Sequence, residues 1–198
     1  MTFRWRCVRC VTRIAVAQPA LWPMLRGPFR RFFTARAPHW DRIVAGETLD
    51  ALACALADVQ PARRALDIGT GTGSAALLVA ERFPDAEVVG VDLSPAMVAA
   101  ASRKAPARVR FEVADAAALP FPDGSFDLVV LANMIPFFDE LARLVAPGGS
   151  LLIAFAEGPD TPIWVPAERL RGELRRRGFA SFREFAAGAS TCLCAIRL

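Results

Sequence analysis

Tyrosine is absent from this chain of 198 residues, and histidine occurs once, at His39. No phenol is available to sit over a ligand, and an imidazole base has one candidate. The five cysteines form a CxxC at Cys7 and Cys10, a CxC at Cys192 and Cys194, and a lone Cys54. No second pair has ligand spacing and no histidines accompany them, so no metal site is expected. An odd number also argues against the disulfide framework of a secreted module. Long apolar runs are missing too: Ile14 to Leu25 is interrupted by Pro19 and Pro23, whereas a membrane-spanning helix needs about 20 apolar residues. The arginines ahead of that stretch would suit a signal peptide, but no small-residue cleavage site follows. A cytoplasmic location is expected. Repeats and low-complexity tracts are also absent.

Acids are missing from residues 1–40, which carry eight arginines. The remaining residues hold sixteen basic and twenty acidic side chains, so the overall charge of +4 belongs to an N-terminal arm on a mildly acidic body. A hydrophobic content of 54% and a mean hydropathy of +0.33 exclude a disordered chain. The length fits one ordinary core. The division expected is an arm over 1–40 and a domain over 41–198.

The body alternates strand and helix patterns. Leu49, Leu52, Ala53, Leu56 and Val59 share a helical face, ahead of a strand at Arg64 to Ile68. A helix from about Ser74 to Phe83 precedes a strand at Glu87 to Val91, and Ser94 with Pro95 opens the next helix. Strands are predicted at Val109 to Val113, Phe126 to Ala132, Ser150 to Phe155 and Thr191 to Arg197. A last helix spans about Ala167 to Arg177, stopped by Gly178. Such alternation gives a parallel sheet with helices on both faces, which binds ligands beyond the carboxyl ends of its strands.

At one such end lies ALDIGTGTG, residues 65–73, with Gly69, Gly71 and Gly73 at alternate positions. Glycines in a strand-to-helix turn let a ligand approach the backbone closely. Three acids follow successive strands: Asp67, Asp92 and Asp115. A carboxylate after the second strand suits both hydroxyls of a ribose, and one after the third can accept from an exocyclic amine. A dinucleotide fingerprint would place its third glycine at position 74, which is Ser74, so a nicotinamide enzyme fits poorly.

Four stretches, ALDIGTGTG at 65–73, VVGVDLSPAMV at 88–98, DAAALPFPDGSFDLVVLAN at 115–133 and RLVAPGGSLLIA at 143–154, carry a resemblance to a family. The chain resembles the class I methyltransferases that use S-adenosylmethionine, and within them the small-molecule branch that includes quinone-biosynthesis enzymes. The resemblance implies a Rossmann-like, doubly wound α/β fold: a mostly parallel seven-stranded sheet with an antiparallel closing strand and helices on both faces. It implies S-adenosylmethionine as cofactor and a methyl transfer by in-line displacement. Gly69, Thr70, Gly71 and Gly73 would pass close to the methionine moiety and ribose, with Asp67 helping to hold the amino group. Asp92 would take the ribose hydroxyls, Leu93 would pack on the adenine, and Asp115 would accept from the adenine amine beside the Ala116 N–H. Asn133 would face the methionine end and the acceptor, and Pro147 to Gly149 would form the turn before the fifth strand.

No catalytic residue is assigned; His39 and Asn133 are the candidates, His39 with the alternative of an ordinary linker residue. Thirteen residues separate Asn133 from Pro147, room for one short helix where relatives carry more. Trp40 is the candidate to replace an N-terminal tyrosine over the cofactor. Walls for a small acceptor are Phe29 to Trp40, Met134 to Phe138 and Phe155 to Trp164, an apolar and aromatic set; Phe137, Phe138 and Trp164 have core packing as their alternative. The missing acid-or-Asn, Pro, Pro, aromatic motif at 133–136 counts against methylation of DNA amino groups. Residues 3–33 interleave Arg4, Arg6, Arg9, Arg13, Arg26, Arg30 and Arg31 with Phe3, Trp5, Trp22, Phe29, Phe32 and Phe33. Three roles stay open for this arm: a cap over the site, contact with an anionic membrane surface, or contact with single-stranded nucleic acid, the least favoured. A non-catalytic adenosylmethionine-binding module and a basic-armed RNA methyltransferase are the rival readings. Oligomeric state leaves no signal.

Overall fold

β1 (Arg64–Ile68) is buried from its second residue onward because helices cover the sheet on both sides. The computed structural model describes residues 3–45 and 48–198; the side chains of Phe3 and Arg4, part of the arm's basic and aromatic set, lie outside the described residues. β1 pairs in parallel with β2 (Glu87–Asp92) and with β4 (Phe126–Ala132), and β3 (Val109–Val113) extends the β2 side. β5 (Val145–Phe155) runs parallel to β4, and β7 (Ser190–Arg197) inserts antiparallel between β5 and β6 (Phe179–Ala187). The order β3-β2-β1-β4-β5-β7-β6 reverses at β1, which opens a crevice between the diverging connections of β1 and β4.

Alternate residues of each strand face opposite layers. Ala65, Val88, Leu128, Val130 and Leu152 pack with α4 (Asp50–Asp58) and α5 (Ser74–Arg82). Leu66, Val89, Val129, Leu131 and Leu151 pack with α1 (Phe3–Ala17), α7 (Phe138–Leu144) and α8 (Ala167–Arg175). Ser94 caps α6 (Pro95–Ser102) by accepting from the Met97 N–H at 3.3 Å.

The arm is two helices, as its prolines require. Pro19 begins a short 3-10 turn after α1, and α2 (Trp22–Thr34) then doubles back, bringing Trp5 and Phe32 to 5.8 Å between ring centroids. Val8, Ala15, Val16 and Trp22 are buried in the same core as the strands. Arg9 Nη2 donates to the carbonyls of Pro159, Asp160 and Thr161, so the hairpin is fastened to the segment after β5.

Two features differ from the sequence pattern. β6 was not anticipated: it is an outer strand whose side chains are mostly half-exposed, with Arg183 and Glu184 in the middle and a register break after Ala180. Edge strands of this kind lose the apolar alternation that identifies a strand. β5 also begins earlier than Ser150, at Val145, and the Pro147 to Gly149 turn is a bulge within it, across which the pairing with β4 jumps from Phe126–Val145 to Leu128–Ser150.

β3 is locked under the glycine turn by one ring. A Cβ on Gly90 would lie 2.4 Å from Phe111 Cδ1, and one on Gly73 would lie 2.9 Å from Phe111 Cζ. Both glycines therefore make room for Phe111. Gly90→Ala is expected to cost about 1–3 kcal/mol by overpacking, and Phe111→Leu should recover part of that loss in the double variant. Urea unfolding of the three variants measures it.

Candidate active site

The strand β1 ends on a charge that the fold has taken out of water. Asp67 is 1% exposed. Its Oδ2 accepts from Thr70 Oγ1 at 2.6 Å and from the Ala76 N–H at 3.0 Å, which ties the glycine turn to the first turn of α5. Its Oδ1 is buried and has no hydrogen-bond partner among the described residues. Burial pushes the carboxyl up to about 7, against those two bonds and with added repulsion from Asp92.

The turn itself is built as the glycines suggest. Gly69, Gly71 and Gly73 have φ of 75°, 54° and 94°, which side chains with a Cβ rarely adopt. The N–H groups of Gly69 and Thr70 donate to the Val91 carbonyl at 2.8 and 2.9 Å, drawing the turn against the end of β2. A Cβ on Gly69 would strike Met134 at 2.6 Å, and one on Gly71 would come to 3.3 Å from Trp40 Nε1. Asp92 is oriented by the same turn, its Oδ2 accepting from the Gly71 N–H at 3.0 Å and its Oδ1 from the Ser94 N–H at 2.8 Å. Each oxygen keeps a lone pair for a further donor. Burial raises the Asp92 carboxyl as well.

These groups line a cavity of about 220 Å³. Its floor includes Asp67, Gly69, Thr70, Gly71, Asp92, Leu93, Ala116 and Asn133. Its roof comes from the arm: Trp22, Phe29, Phe33 and Trp40 form a row with successive centroid distances of 5.4, 4.7 and 5.4 Å. The roof is tied to the floor by Thr34 and Ser94, whose hydroxyl oxygens are 2.8 Å apart. After α2 the chain makes a 3-10 turn at Ala37–His39 and enters α3 (Trp40–Ile43), where Asp41 accepts from Thr72 Oγ1 and from Lys104 Nζ, each at 2.6 Å. Those two bonds hold the Asp41 carboxyl below its ordinary range.

Of the residues singled out in the sequence, Asp67, Gly69, Thr70, Gly71, Asp92, Leu93, Ala116 and Asn133 meet around this one cavity. Gly73 lies behind it, packed on Phe111 and Ala101. Asp115 is beside it but engaged by the arm: Oδ1 accepts from Trp22 Nε1 at 2.8 Å and the Ala117 N–H at 3.1 Å, and Oδ2 pairs with Arg26 at 3.1 Å. Asn133 closes β4 in a left-handed conformation, φ 53°, with Oδ1 accepting from the Ala156 N–H at 2.9 Å. His39 is exposed and outside the lining. Phe137 and Phe138 belong to the core, and Ile163 rather than Trp164 reaches the cavity. Trp22 was not foreseen as a wall. Its indole and its spacing from Phe29 were visible, but only the hairpin aims it at β3.

Electrostatically the floor suits a cation. Two buried carboxylates repel each other, and Asp67 Oδ1 lacks a donor, so an ammonium or sulfonium would relieve both costs. A pyrophosphate would meet the wrong sign of charge. The cradle and the acids therefore fit a compact ligand with a positively charged end.

A family model described as "Methyltransferase domain" matches residues 65–149. A demethylmenaquinone methyltransferase of Thermus thermophilus is 51% identical over 110 residues, 50% of this chain and 49% of that protein. One of Deinococcus radiodurans is 40% identical over 141 residues, 66% of this chain and 55% of that protein. The chain thus spans about half the length of the curated relatives it matches. Among solved structures, a SAM-dependent methyltransferase from Aquifex aeolicus shares the fold with a TM-score of 0.69 at 18% identity, covering 83% of this chain and 98% of that one.

Because Asp67 has a raised folded-state value, the folded protein holds its proton to higher pH than the unfolded chain. Its contribution to stability is therefore present below about pH 4 and lost as pH rises towards about 7. Denaturant unfolding without ligand between pH 4 and 8 is expected to show this decline, and Asp67→Asn should flatten it.

Proposed function

We propose that the chain is a class I S-adenosylmethionine-dependent methyltransferase that methylates a small apolar or planar acceptor held between the arm and the ends of β4 and β5, a reading supported by the methyltransferase-domain match and the similarity to demethylmenaquinone methyltransferases. The observation that carries this reading is the cavity itself: a floor of glycine backbone and buried acids under a roof of four aromatic rings. S-adenosylmethionine, when bound, supplies a methyl on a cationic sulfur that leaves to a nucleophile in line with the carbon–sulfur bond.

What the chain contributes is position and dryness. Asp67 is placed to take the amino group through Oδ1, and Asp92 to take the ribose hydroxyls on its free lone pairs. Leu93 and Ala116 offer an apolar edge and a backbone N–H for the adenine. Asp115 can serve the adenine amine when Trp22 and Arg26 share or release it, so adenine recognition and arm position are coupled through one carboxylate. Asn133 and Met134, beside Gly69, bound the end where the acceptor would meet the methyl. Residues 1–40 act as the cap of a site built by residues 41–198, and the aromatic row excludes water from it. Orienting two reactants in such a space can be worth roughly 7–11 kcal/mol of barrier. With His39 outside the cavity, the pocket suits an acceptor that reaches it already nucleophilic.

The similarity to demethylmenaquinone methyltransferases supports a planar, quinone-like acceptor, for which the aromatic roof offers stacking faces.

Calorimetric titration tests the site. S-adenosylmethionine and S-adenosylhomocysteine should bind and NAD should not. Asp92→Ala should weaken both adenosyl ligands by about tenfold or more, since hydrogen bonds to a charged group are worth about 1.5–3 kcal/mol. Unchanged affinity in a folded Asp92→Ala protein would overturn the assignment.

A further inference from the structure

The arm presents one end that the cavity does not use. α1 and α2 are antiparallel, so the segment that joins them and the first residues of α2, together residues 18–24, form the tip of a hairpin whose helices reach about 20 Å. Apolar side chains cluster on that tip. Met24 is 77% exposed and Leu21 36%, and Pro19, Ala20 and Pro23 are exposed beside them. Along the flanks Arg6, Arg13 and Arg31 are exposed, and among the described residues none of the three is paired with an acid. Residues 1–40 contain no acid at all.

We propose that the α1–α2 tip docks the protein on an anionic lipid bilayer, with Leu21 and Met24 entering the interface, Arg13 lying over the headgroups and Arg6 and Arg31 farther along the two helices. An apolar end a few residues long, inserted about 5–10 Å and bordered by cations, is the chemistry of peripheral membrane binding. Arg13 lies five residues before Gln18, within about one Debye length of the tip along the helix. Each such cation adds attraction to an anionic leaflet.

The same arm is a poor surface for single-stranded nucleic acid. Bases stack on exposed aromatic faces, whereas Trp22 is 2% exposed and Trp5, Phe29, Phe32 and Phe33 turn inward and pack on the core and on one another. The exposed apolar residues of the tip are aliphatic. The described aromatics of the hairpin thus face the core and the cavity roof, and a lipid-compatible end is left outside.

Sedimentation with vesicles of phosphatidylglycerol and phosphatidylcholine, against vesicles of phosphatidylcholine alone, tests the proposal. The full chain should partition onto the anionic vesicles and be released by about 0.5 M salt. Leu21→Glu with Met24→Glu should lower the partition coefficient by about tenfold or more, and Arg6→Gln with Arg13→Gln and Arg31→Gln should lower it several-fold. Thermal unfolding of each variant checks that the hairpin is still folded. No partition by the full chain, or wild-type partition by the Leu21 and Met24 variant, overturns the proposal. So does salt-sensitive binding of single-stranded RNA in the absence of vesicle binding. Vesicle binding is read without any adenosyl ligand, so docking and cofactor affinity fail separately.

Discussion

The carboxylate of Asp67 is the constraint around which the site is arranged. A charge buried at the end of β1 has to be compensated, and one of its oxygens is compensated by the two groups that shape the glycine turn and start α5, Thr70 Oγ1 and the Ala76 N–H. The other oxygen has no donor among the described residues. A single residue therefore sets the course of the loop and leaves a standing demand for a cation. Asp92, held by the same turn through Gly71, adds a second buried acid and strengthens that demand. The backbone geometry and the electrostatics of the floor are consequences of one side chain at a strand end.

The arm is held to this floor mainly by packing. The Arg26–Asp115 pair has an arginine that is 54% exposed, and pairs of that kind contribute about 0–1 kcal/mol. Trp22, in contrast, is almost wholly buried against Phe29 and Phe137. Burial of one large apolar side chain is worth about 1.5–3 kcal/mol, and Val8, Ala15 and Val16 add to it. Movement of the arm during ligand exchange is thus limited by the Trp22 anchor, while Arg26 can change partner at little cost. The consequence is a roof packed on the core that also touches the Asp115 carboxylate.

How far the sequence could be read differs between layers. β1 and β4 are found at the positions their apolar runs indicated, because strands buried on both faces leave an uninterrupted signal. The cap of α6 and the break between α1 and α2 were equally legible, since Ser–Pro and paired prolines act locally. β6 was not, because its side chains largely meet solvent and, among the described strands, it pairs with β7 alone. Phe137 and Phe138, which the sequence left open between wall and core, are core, and Trp22, which was not among the candidate walls, lines the cavity. Residues in those classes have the same composition, and only the direction of the side chain separates them.

The sequence by itself determined the order of the strands and helices from β1 to β5, the conformation of the turn at Gly69, Gly71 and Gly73, and the presence of acids at three strand ends. Each depends on a few neighbouring residues and on backbone preferences that act over short distances. Which of those acids share a cavity, and what covers it, was decided by tertiary structure alone. Asp67 and Asp92 converge because β1 and β2 lie side by side and one loop bonds both. Asp115 is drawn to Trp22 and Arg26 because a hairpin about ninety residues away folds back over the sheet. Long-range burial, with no local signature, makes that choice.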